Sequence, residues 1–294
     1  MLRVLNPYAA PGVYRKAQLH CHTAASDGAF APADLLARYR AAGYAFVVIT
    51  DHERITYCET LNDREFLALP GIETRVTRWI PPLGPHLGRL LVQGVDQRPA
   101  RDAQACIDAT AAAGGLVVMN HPSWTGSAWT GHWSVEDLCR LRGYHLVEIS
   151  GPHSHSPDDV RRWTAAVRHW GPGAAPGGIA VDDCHRADQF NVGWVMVKAA
   201  DVTAVALREA LRRGAFYAST GPAAEFGAGD GEVWARAARE ATVHFFDGHD
   251  HLLVARPGPQ ARYHPHGGER FVRVEARAPD GRTAWSQPFW VLRS

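Results

Sequence analysis

Two histidines in the stretch QLHCHTAASDG are spaced as metal ligands often are. His20 and His22 lie two positions apart at the end of an apolar run, and Asp27 follows five residues later. Side chains at i and i+2 of a β-strand point to the same face. His20 and His22 would therefore project together, while Cys21 between them faces the opposite way.

A second pair of this kind occurs in the stretch GIAVDDCH. Asp183 and His185 have the same i, i+2 spacing, with Cys184 as the intervening residue. An imidazole and a carboxylate held side by side at a strand end can bind a metal ion. The two pairs together predict a metal site or a cluster of sites.

Further candidate ligands come directly after other apolar runs that are typical of strands. Asp51 and His52 follow AFVVIT, Glu73 lies in FLALPGIET, and His121 follows LVVMN. In parallel barrels the C-terminal ends of the strands carry the active site, with residues contributed by several strands. We therefore expect these side chains to meet at one end of a sheet.

The ligand types narrow the choice of metal. Imidazoles with carboxylates and no participating thiolate favour zinc, manganese or iron, whereas an all-oxygen set would favour magnesium or calcium. The candidates exceed the four to six positions of a single ion. We predict two or three divalent transition metal ions with a carboxylate such as Glu73 bridging them, an arrangement that can hold an activated hydroxide as nucleophile.

The elements that must position these residues alternate from about residue 16 to 200, and the helix-like segment TAVALREALRRG closes the series. Short apolar runs are separated by helix-like segments such as PADLLARYRAAGY, RDAQACIDATAAAGG, SVEDLCRLRGY and DDVRRWTAAVRHW. Strands alternating with helices favour a parallel α/β architecture. Six or seven such units fit a (β/α) barrel or a distorted relative of one.

The pattern changes after the segment YASTGP. Short alternating runs separated by Gly, Pro and Asp, such as TVHFFDG and FVRVEARAPDG, predict a small antiparallel β-module. We therefore predict two domains, a barrel over residues 1–222 and a β-rich module over residues 223–294.

Composition limits the partners and the compartment. The net charge of +1 gives no electrostatic reason to expect a nucleic acid polymer or an anionic membrane as partner. The five cysteines include no CxxC pair, and we find no signal-peptide pattern and no apolar run of membrane-spanning length. These features predict a cytoplasmic protein.

Five motifs in order resemble a known family. HCHTAASDG, TDH, GIE, NHP and DDCH are similar in order and spacing to the motifs of the PHP (polymerase and histidinol phosphatase) superfamily of metal-dependent hydrolases. LRRGAFYASTGP, followed by a module that ends in AWSQPFWV, resembles its carbaryl-hydrolase-like branch. The resemblance implies a distorted (β/α)7 barrel that holds up to three metal ions.

The resemblance also implies how the ligands are shared among the ions. The first site would be formed by His20, His22, Glu73 and Asp183. Glu73 would bridge to a second site containing His121, and the third site would be formed by Asp27, His52 and His185. One ligand of the second site is open among His86, His153 and His155. His153 is favoured because it follows EISGP at a strand end, with His86 as the alternative.

Several nearby residues have more than one interpretation. Asp51 and Asp182 could cap a helix, orient a ligand histidine or bind metal directly. His132, between Trp129 and Trp133, could line a substrate pocket or belong to a loop that caps the barrel. The arginine pair at 212–213 suits a helix C-terminus, with a phosphate contact as the alternative.

The predicted function is a metal-dependent hydrolase, with phosphoesterase activity favoured. Its substrate would be a small anionic molecule, a phosphomonoester or nucleotide-type compound. Glu73 would hold the ions together, and Asp183 or a pocket histidine would handle the proton. Aryl ester or carbamate hydrolysis at the same site is the first alternative, and a non-catalytic, metal-stabilised binding protein is the second.

Overall fold

A computed structural model describes residues 2–77, 84–125, 131–154, 156–237 and 240–293. The strands within these ranges are β1 (Leu2–Val4), β2 (Val13–Gln18), β3 (Tyr44–Ile49), β4 (Leu67–Arg75), β5 (His86–Leu90), β6 (Leu116–Met119), β7 (Leu146–Ser150), β8 (Gly177–Ala180), β9 (Trp194–Ala199), β10 (Phe216–Ser219), β11 (Ala224–Gly229), β12 (Glu232–Ala237), β13 (Thr242–Phe246), β14 (Leu252–Pro257), β15 (Gln260–Tyr263), β16 (Phe271–Arg277), β17 (Thr283–Trp285) and β18 (Phe289–Arg293). The α-helices are α1 (Pro32–Ala41), α2 (Ala103–Ala112), α3 (Val135–Arg140), α4 (Ser156–Trp170) and α5 (Ala204–Arg213).

Most strands join one large mixed sheet. Its main path has the order β1-β18-β16-β17-β10-β9-β2-β3-β4-β5-β6-β7-β8. The ladders β2–β3–β4 and β6–β7–β8 are parallel, whereas β5 is antiparallel to both neighbours and β9 is antiparallel to β2. The protein therefore has a mixed α/β fold with a large central sheet, and the five α-helices lie in the segments that the sequence predicts.

The predicted (β/α)7 barrel is not confirmed, because the sheet does not close over the residues that the structure describes. β8 is the last strand in the hydrogen-bonded order and forms no ladder with β2. An isolated bridge between Cys21 and Cys184 joins the segments that follow these two strands. One cause is the short connection between Arg75 and His86. A parallel partner needs a crossover of about a dozen residues or more, so β5 pairs antiparallel with β4 and interrupts the repeat.

The predicted ligand pairs follow the strands rather than belonging to them. β2 ends at Gln18 and β8 at Ala180, so the pairs lie in the segments that continue from the strand ends. Cys21 is fully buried and packs with Leu35 and Tyr39 of α1. The alternation of sides that the spacing predicts thus persists past the end of β2.

The C-terminal strands form the predicted antiparallel module. β11, β12 and β15 make a separate three-stranded sheet, whereas β13, β14, β16, β17 and β18 extend the central sheet through the ladder between β17 and β10. The N-terminal β1 also pairs with β18, and the Tyr8 hydroxyl accepts a hydrogen bond from the backbone N–H of Gln287 at 2.7 Å. The domain boundary between residues 222 and 223 stays a prediction.

No α-helix within the described ranges is both long enough and apolar enough to cross a bilayer.

A histidine at the N-terminal end of β7 links two parallel strands. His145 is largely buried, and its Nδ1 accepts a hydrogen bond from the backbone N–H of Val117 in β6 at 3.1 Å. Burial, together with the positive charge of Arg212, lowers the pKa of His145 to about 4. The folded protein therefore holds this side chain neutral at pH values at which the unfolded chain binds a proton.

We predict that this histidine makes the protein less stable as the pH falls from 7 to 4. The unfolded pKa is about 6.5, so the folded state loses up to about 3 kcal/mol relative to the unfolded state across this range. Urea unfolding of the native chain and of a His145→Gln variant at several pH values measures this contribution as a difference. Equal pH dependence in the two proteins would contradict it.

Candidate metal centre

The predicted ligands gather around one cavity at the C-terminal ends of the strands. The cavity has a volume of about 390 Å³. The side chains that line it are Asp27, His52, Glu73, His86, His121, Trp124, His153, Asp183, His185, Arg186 and Gln189. His20 and His22 are buried and contact this lining through Glu73 and Asp183.

Glu73 is the central side chain of the cluster. Its Oε2 lies 3.4 Å from His20 Nε2, 3.3 Å from His22 Nε2 and 3.2 Å from His52 Nδ1. Glu73 comes near the end of β4, and these histidines reach it from the segments that follow β2 and β3, on one side of β4 in the sheet order.

The other carboxylate oxygen of Glu73 faces a different set of groups. Oε1 lies 3.0 Å from His86 Nδ1 and 3.2 Å from His121 Nε2, and it accepts a hydrogen bond from Asn120 Nδ2 at 2.8 Å. The two oxygens of this one carboxylate therefore face two groups of imidazoles, which is the arrangement that a bridging ligand requires.

Asp183 completes the group around His20 and His22. Its Oδ1 lies 3.2 Å from each Nε2, and the two Nε2 atoms are 3.0 Å apart. With metal–ligand bonds of about 2.1 Å, ligand atoms around one ion lie roughly 3.0 to 3.4 Å from one another. The atoms of His20, His22, Glu73 and Asp183 match that spacing.

A third group surrounds Asp27. Its carboxylate lies 3.6 Å from His22 Nδ1, 3.5 Å from His52 Nε2 and 3.4 Å from His185 Nε2. His22 and His52 each direct one ring nitrogen to this group and the other to Glu73. The cluster thus contains three overlapping groups of side chains able to hold a metal ion.

The histidine that is open at the sequence level has two different positions in the structure. His86 lies against Glu73, with its ring centroid 5.2 Å from that of His121, whereas His153 Nδ1 lies 2.6 Å from Asp183 Oδ2. His155 falls outside the described residues. His86 thus lies beside both Glu73 and His121, and the assignment of ligands stays a prediction.

The carboxylates of the cluster are held ionised. Burial raises the pKa of Glu73, but the imidazoles of His86, His20 and His52 outweigh it and hold the pKa well below its usual range. Burial likewise raises the pKa of Asp183, and the surrounding histidines outweigh it. The cluster therefore contains ionised carboxylates before any cation binds.

The pKa values of His22 and His52 shift in opposite directions. Burial lowers the pKa of His22, but Asp183 and Glu73 outweigh it and raise the pKa to about 9. Burial and the neighbouring His22 and His86 lower the pKa of His52 to about 4. A protonated histidine here substitutes for positive charge that a metal ion would supply.

Unsatisfied atoms show that the residues present fit a divalent cation. His22 Nδ1, His52 Nδ1 and Asp183 Oδ1 are buried and lack a hydrogen bond of suitable geometry among the described residues. Ion-pair distances of 3.2 to 3.6 Å surround them. These distances are too long for strong hydrogen bonds and suit ligands that share an ion.

Strained backbone positions several of these side chains. His121 has a φ of +27° and Asp183 a φ of +40°, and Glu53 beside His52 has a φ of +44°. Positive φ is uncommon for residues other than glycine and is concentrated at functional sites. The chain here adopts a costly conformation that turns these residues at the strand ends.

Glu148 is a site residue that the sequence did not reveal. It is buried in β7, its Oε1 lies 2.6 Å from His20 Nδ1, and its Oε2 accepts a hydrogen bond from the backbone N–H of His121 at 2.7 Å. This contact directs His20 Nε2 toward Glu73 and Asp183. A carboxylate inside the apolar run HLVEIS was the available signal.

Asp51 and Asp182 hold loops around the site. Asp51 accepts hydrogen bonds from Thr23, Ser26 and Thr56, and so fixes the loop that carries Asp27. Asp182 accepts hydrogen bonds from three consecutive backbone N–H groups at residues 191–193. Both carboxylates are therefore engaged in loop bracing.

The tryptophan that borders the cavity is Trp124. Its ring centroid lies 4.9 Å from that of His121 and 5.4 Å from that of His86. Trp133 is instead buried in the core and donates a hydrogen bond to the His86 carbonyl, and His132 does not belong to the described lining of the cavity. Trp129 falls outside the described residues.

Comparison with known proteins shows that this chain is similar in fold to solved structures. No family model and no curated protein matches the chain. A two-domain protein from Bacteroides vulgatus that contains a predicted PHP-like metal-dependent phosphoesterase aligns with 97% of this chain and 98% of its own, with 18% identity and a TM-score of 0.56. The chain therefore shares the fold of that protein over nearly its whole length.

Two further solved structures align over a smaller part of the chain. A protein from Bifidobacterium adolescentis, provisionally described as a metal-dependent phosphoesterase, covers 67% of this chain and 96% of its own at 16% identity, with a TM-score of 0.47. An amidohydrolase from Chromobacterium violaceum covers 57% and 87% at 16% identity, with a TM-score of 0.40. The fold similarity does not support the narrower placement in the carbaryl-hydrolase-like branch.

We predict that divalent transition metal ions stabilise the folded protein. At a free metal concentration of about 100 times the dissociation constant, binding adds about 3 kcal/mol, which raises the unfolding temperature by several degrees. Differential scanning calorimetry of the chelator-treated chain, with and without added Mn²⁺ or Zn²⁺, measures the shift. We expect the shift to be lost in Glu73→Ala and kept in Asp201→Asn, which changes an exposed carboxylate outside the cavity lining, and equal shifts in both variants would contradict a role for Glu73.

We predict that Glu148→Gln weakens metal binding about 10- to 100-fold. Both oxygens of Glu148 face N–H groups, so the amide of glutamine would place a donor against a donor. Competition with a chromophoric chelator measures the affinity. Glu136→Gln, which changes an exposed carboxylate on α3, is the matched control, and unchanged affinity in Glu148→Gln would show that the contact to His20 does not position that ligand.

Proposed function

We propose that the chain is a metal-dependent hydrolase of the PHP type, and that phosphoester hydrolysis is its reaction. The observation that supports this most directly is the position of Glu73. One buried carboxylate faces imidazoles on both of its oxygens, at the edge of a cavity large enough for a small substrate.

Two or three divalent transition metal ions, namely zinc, manganese or iron, are the proposed cofactors. When bound, such ions would supply Lewis-acid activation of water and neutralise charge that develops on the substrate oxygens. The residues proposed to hold them are His20, His22, Asp27, His52, Glu73, His86 or His153, His121, Asp183 and His185. The protein supplies their orientation through Glu148 and Asn120, which fix His20 and Glu73.

The contact between His153 and Asp183 can hold a proton at the mouth of the cavity. His153 Nδ1 lies 2.6 Å from Asp183 Oδ2, and the His153 side chain is 34% exposed. A partly exposed imidazole bound to a buried carboxylate is suited to giving a proton to a leaving group. We assign that role to the pair formed by Asp183 and His153.

The substrate is proposed to be a small anionic phosphoester. Arg186 and Gln189 line the cavity beside the candidate ligands, and a guanidinium pairs well with phosphate oxygens. The ions would add further positive charge in the same space. The cavity size suits a small molecule better than a nucleic acid polymer, and free thiols on all five cysteines suit a cytoplasmic location.

Aryl ester or carbamate hydrolysis is the second candidate, as in the carbaryl-hydrolase-like branch. Trp124 favours it, because an indole beside the candidate ligands can pack against an aromatic leaving group. A non-catalytic binding role fits less well, since structural metal sites are closed and this cluster faces an open cavity.

We predict that the metal-loaded protein hydrolyses p-nitrophenyl phosphate or nucleoside monophosphates. The double substitution His20→Ala/His22→Ala removes two buried candidate ligands and should lower the rate at least about 1000-fold, because metal activation contributes several kcal/mol. Release of phosphate is measured with Mn²⁺, Zn²⁺ and Fe²⁺, alongside release of p-nitrophenol from aryl esters.

The control variant is Asp201→Asn, an exposed carboxylate outside the cavity lining. Turnover of aryl esters in place of phosphoesters would select the second candidate. If no substrate gave a rate above that of the His20→Ala/His22→Ala protein, the hydrolase proposal would be wrong.

A further inference from the structure

A larger cavity lies at the opposite end of the strands from the metal centre. Its volume is about 700 Å³, and its lining includes Arg142, His145, Trp170, Arg212 and Trp290; we refer to it as the arginine cleft. It is formed where the chain enters β7 and β8, beside the end of α5. Since β8 begins at the cleft and the chain reaches Asp183 six residues later, the cleft and the cluster are separated by up to about 20 Å.

The charged side chains of the arginine cleft are all basic. Arg142, Arg212 and Arg213 belong to its lining, and no Asp or Glu does so among the described residues. Arg213 pairs with Glu209 at 3.2 Å, whereas neither Arg142 nor Arg212 has a described carboxylate within ion-pairing distance. The end of α5 accounts for a basic residue at 212, but it does not account for Arg142 on the other side of the cleft.

Hydrogen bonds within the fold hold the backbone of Arg142 and the side chain of His145 in place. The backbone N–H of Arg142 donates to Gln104 Oε1 at 2.9 Å, and its carbonyl accepts from Gln104 Nε2 at 3.0 Å. His145 accepts a hydrogen bond at Nδ1, and burial with the nearby Arg212 lowers its pKa to about 4. At neutral pH it is therefore uncharged and carries its proton on Nε2, as a further donor in the lining.

The remaining wall is apolar and rigid. Trp170 Nε1 donates hydrogen bonds to the Leu138 carbonyl at 2.9 Å and to the Tyr144 hydroxyl at 3.3 Å, which fixes the indole. Trp290 is 7% exposed, and several prolines belong to the same wall. Ligand pockets typically combine such an apolar wall with a few convergent polar groups, at volumes of about 300 to 1000 Å³.

We propose that the arginine cleft binds a phosphorylated small molecule of nucleotide size, with its phosphates between Arg142 and Arg212 and its planar ring against Trp170. Guanidinium groups bind phosphate oxygens through paired hydrogen bonds, and a lining of donors without carboxylates excludes cations. A fixed indole favours a flat group. The site does not depend on the proposed hydrolase function.

The test is calorimetric titration of the full chain with ATP as the probe, in chelator and at low salt, so that metal-dependent turnover is absent. We expect saturable one-site binding that weakens at least about tenfold in Arg142→Gln/Arg212→Gln. Arg64→Gln removes the same type of charge from an exposed position outside the cleft and should leave the affinity within about twofold. Inorganic triphosphate and adenosine should each bind more weakly than ATP, and His20→Ala/His22→Ala should bind ATP normally.

Several outcomes would overturn the proposal. These are the absence of saturable ATP binding, equal affinity in the double arginine variant, and equal affinity for inorganic triphosphate and ATP. Loss of ATP binding in His20→Ala/His22→Ala would place the nucleotide at the metal centre. A dimer that the double arginine substitution abolishes and ATP leaves intact would assign the cleft to a second copy of the chain.

Discussion

The structure depends on the burial of one ionised carboxylate, Glu73, among imidazoles at the end of a sheet. A buried carboxylate costs several kcal/mol unless charges and hydrogen bonds compensate it. Here compensation comes from side chains at the ends of different strands, including His20, His86 and His121, so each must be held within about 3.5 Å of the same two oxygens. The order of the strands, the strained backbone and the surrounding loops all serve that requirement.

Three further buried carboxylates hold the surrounding loops and ligands in place through hydrogen bonds. Glu148 joins His20 to the backbone at His121, Asp51 fixes the loop that carries Asp27, and Asp182 holds the segment 191–193. In each case both carboxylate oxygens accept hydrogen bonds, so the charge is satisfied without a metal ion. Within the cluster, by contrast, His22, His52 and Asp183 each keep a buried atom without a hydrogen-bond partner among the described residues, which distinguishes these candidate ligands from the carboxylates that brace the site.

The two ends of the strands differ in electrostatic character. The C-terminal ends carry ionised carboxylates and imidazoles, whereas the N-terminal ends of β7 and β8 face the basic arginine cleft. In parallel α/β folds, residues at the C-terminal ends usually carry the chemistry and those at the N-terminal ends contribute to stability. His145 fits the second description through its bond to β6, whereas Arg142 and Arg212 beside it have no carboxylate partner among the described residues and suit the ligand proposed above.

The features that the sequence determined by itself are those that depend on residues close together in the chain. The i, i+2 spacing of His20 and His22, the apolar runs and the helix patterns depend on neighbours in the chain, and they were sufficient to predict the five helices, the antiparallel module and the set of candidate ligands. Tertiary structure decided the rest. The open sheet, the place of His86 beside Glu73 and the contact of Glu148 with His20, 128 residues away, arise from pairings between distant segments. Such pairings leave no periodic signal, because the register and direction of each strand are fixed by packing against partners that may lie anywhere along the chain.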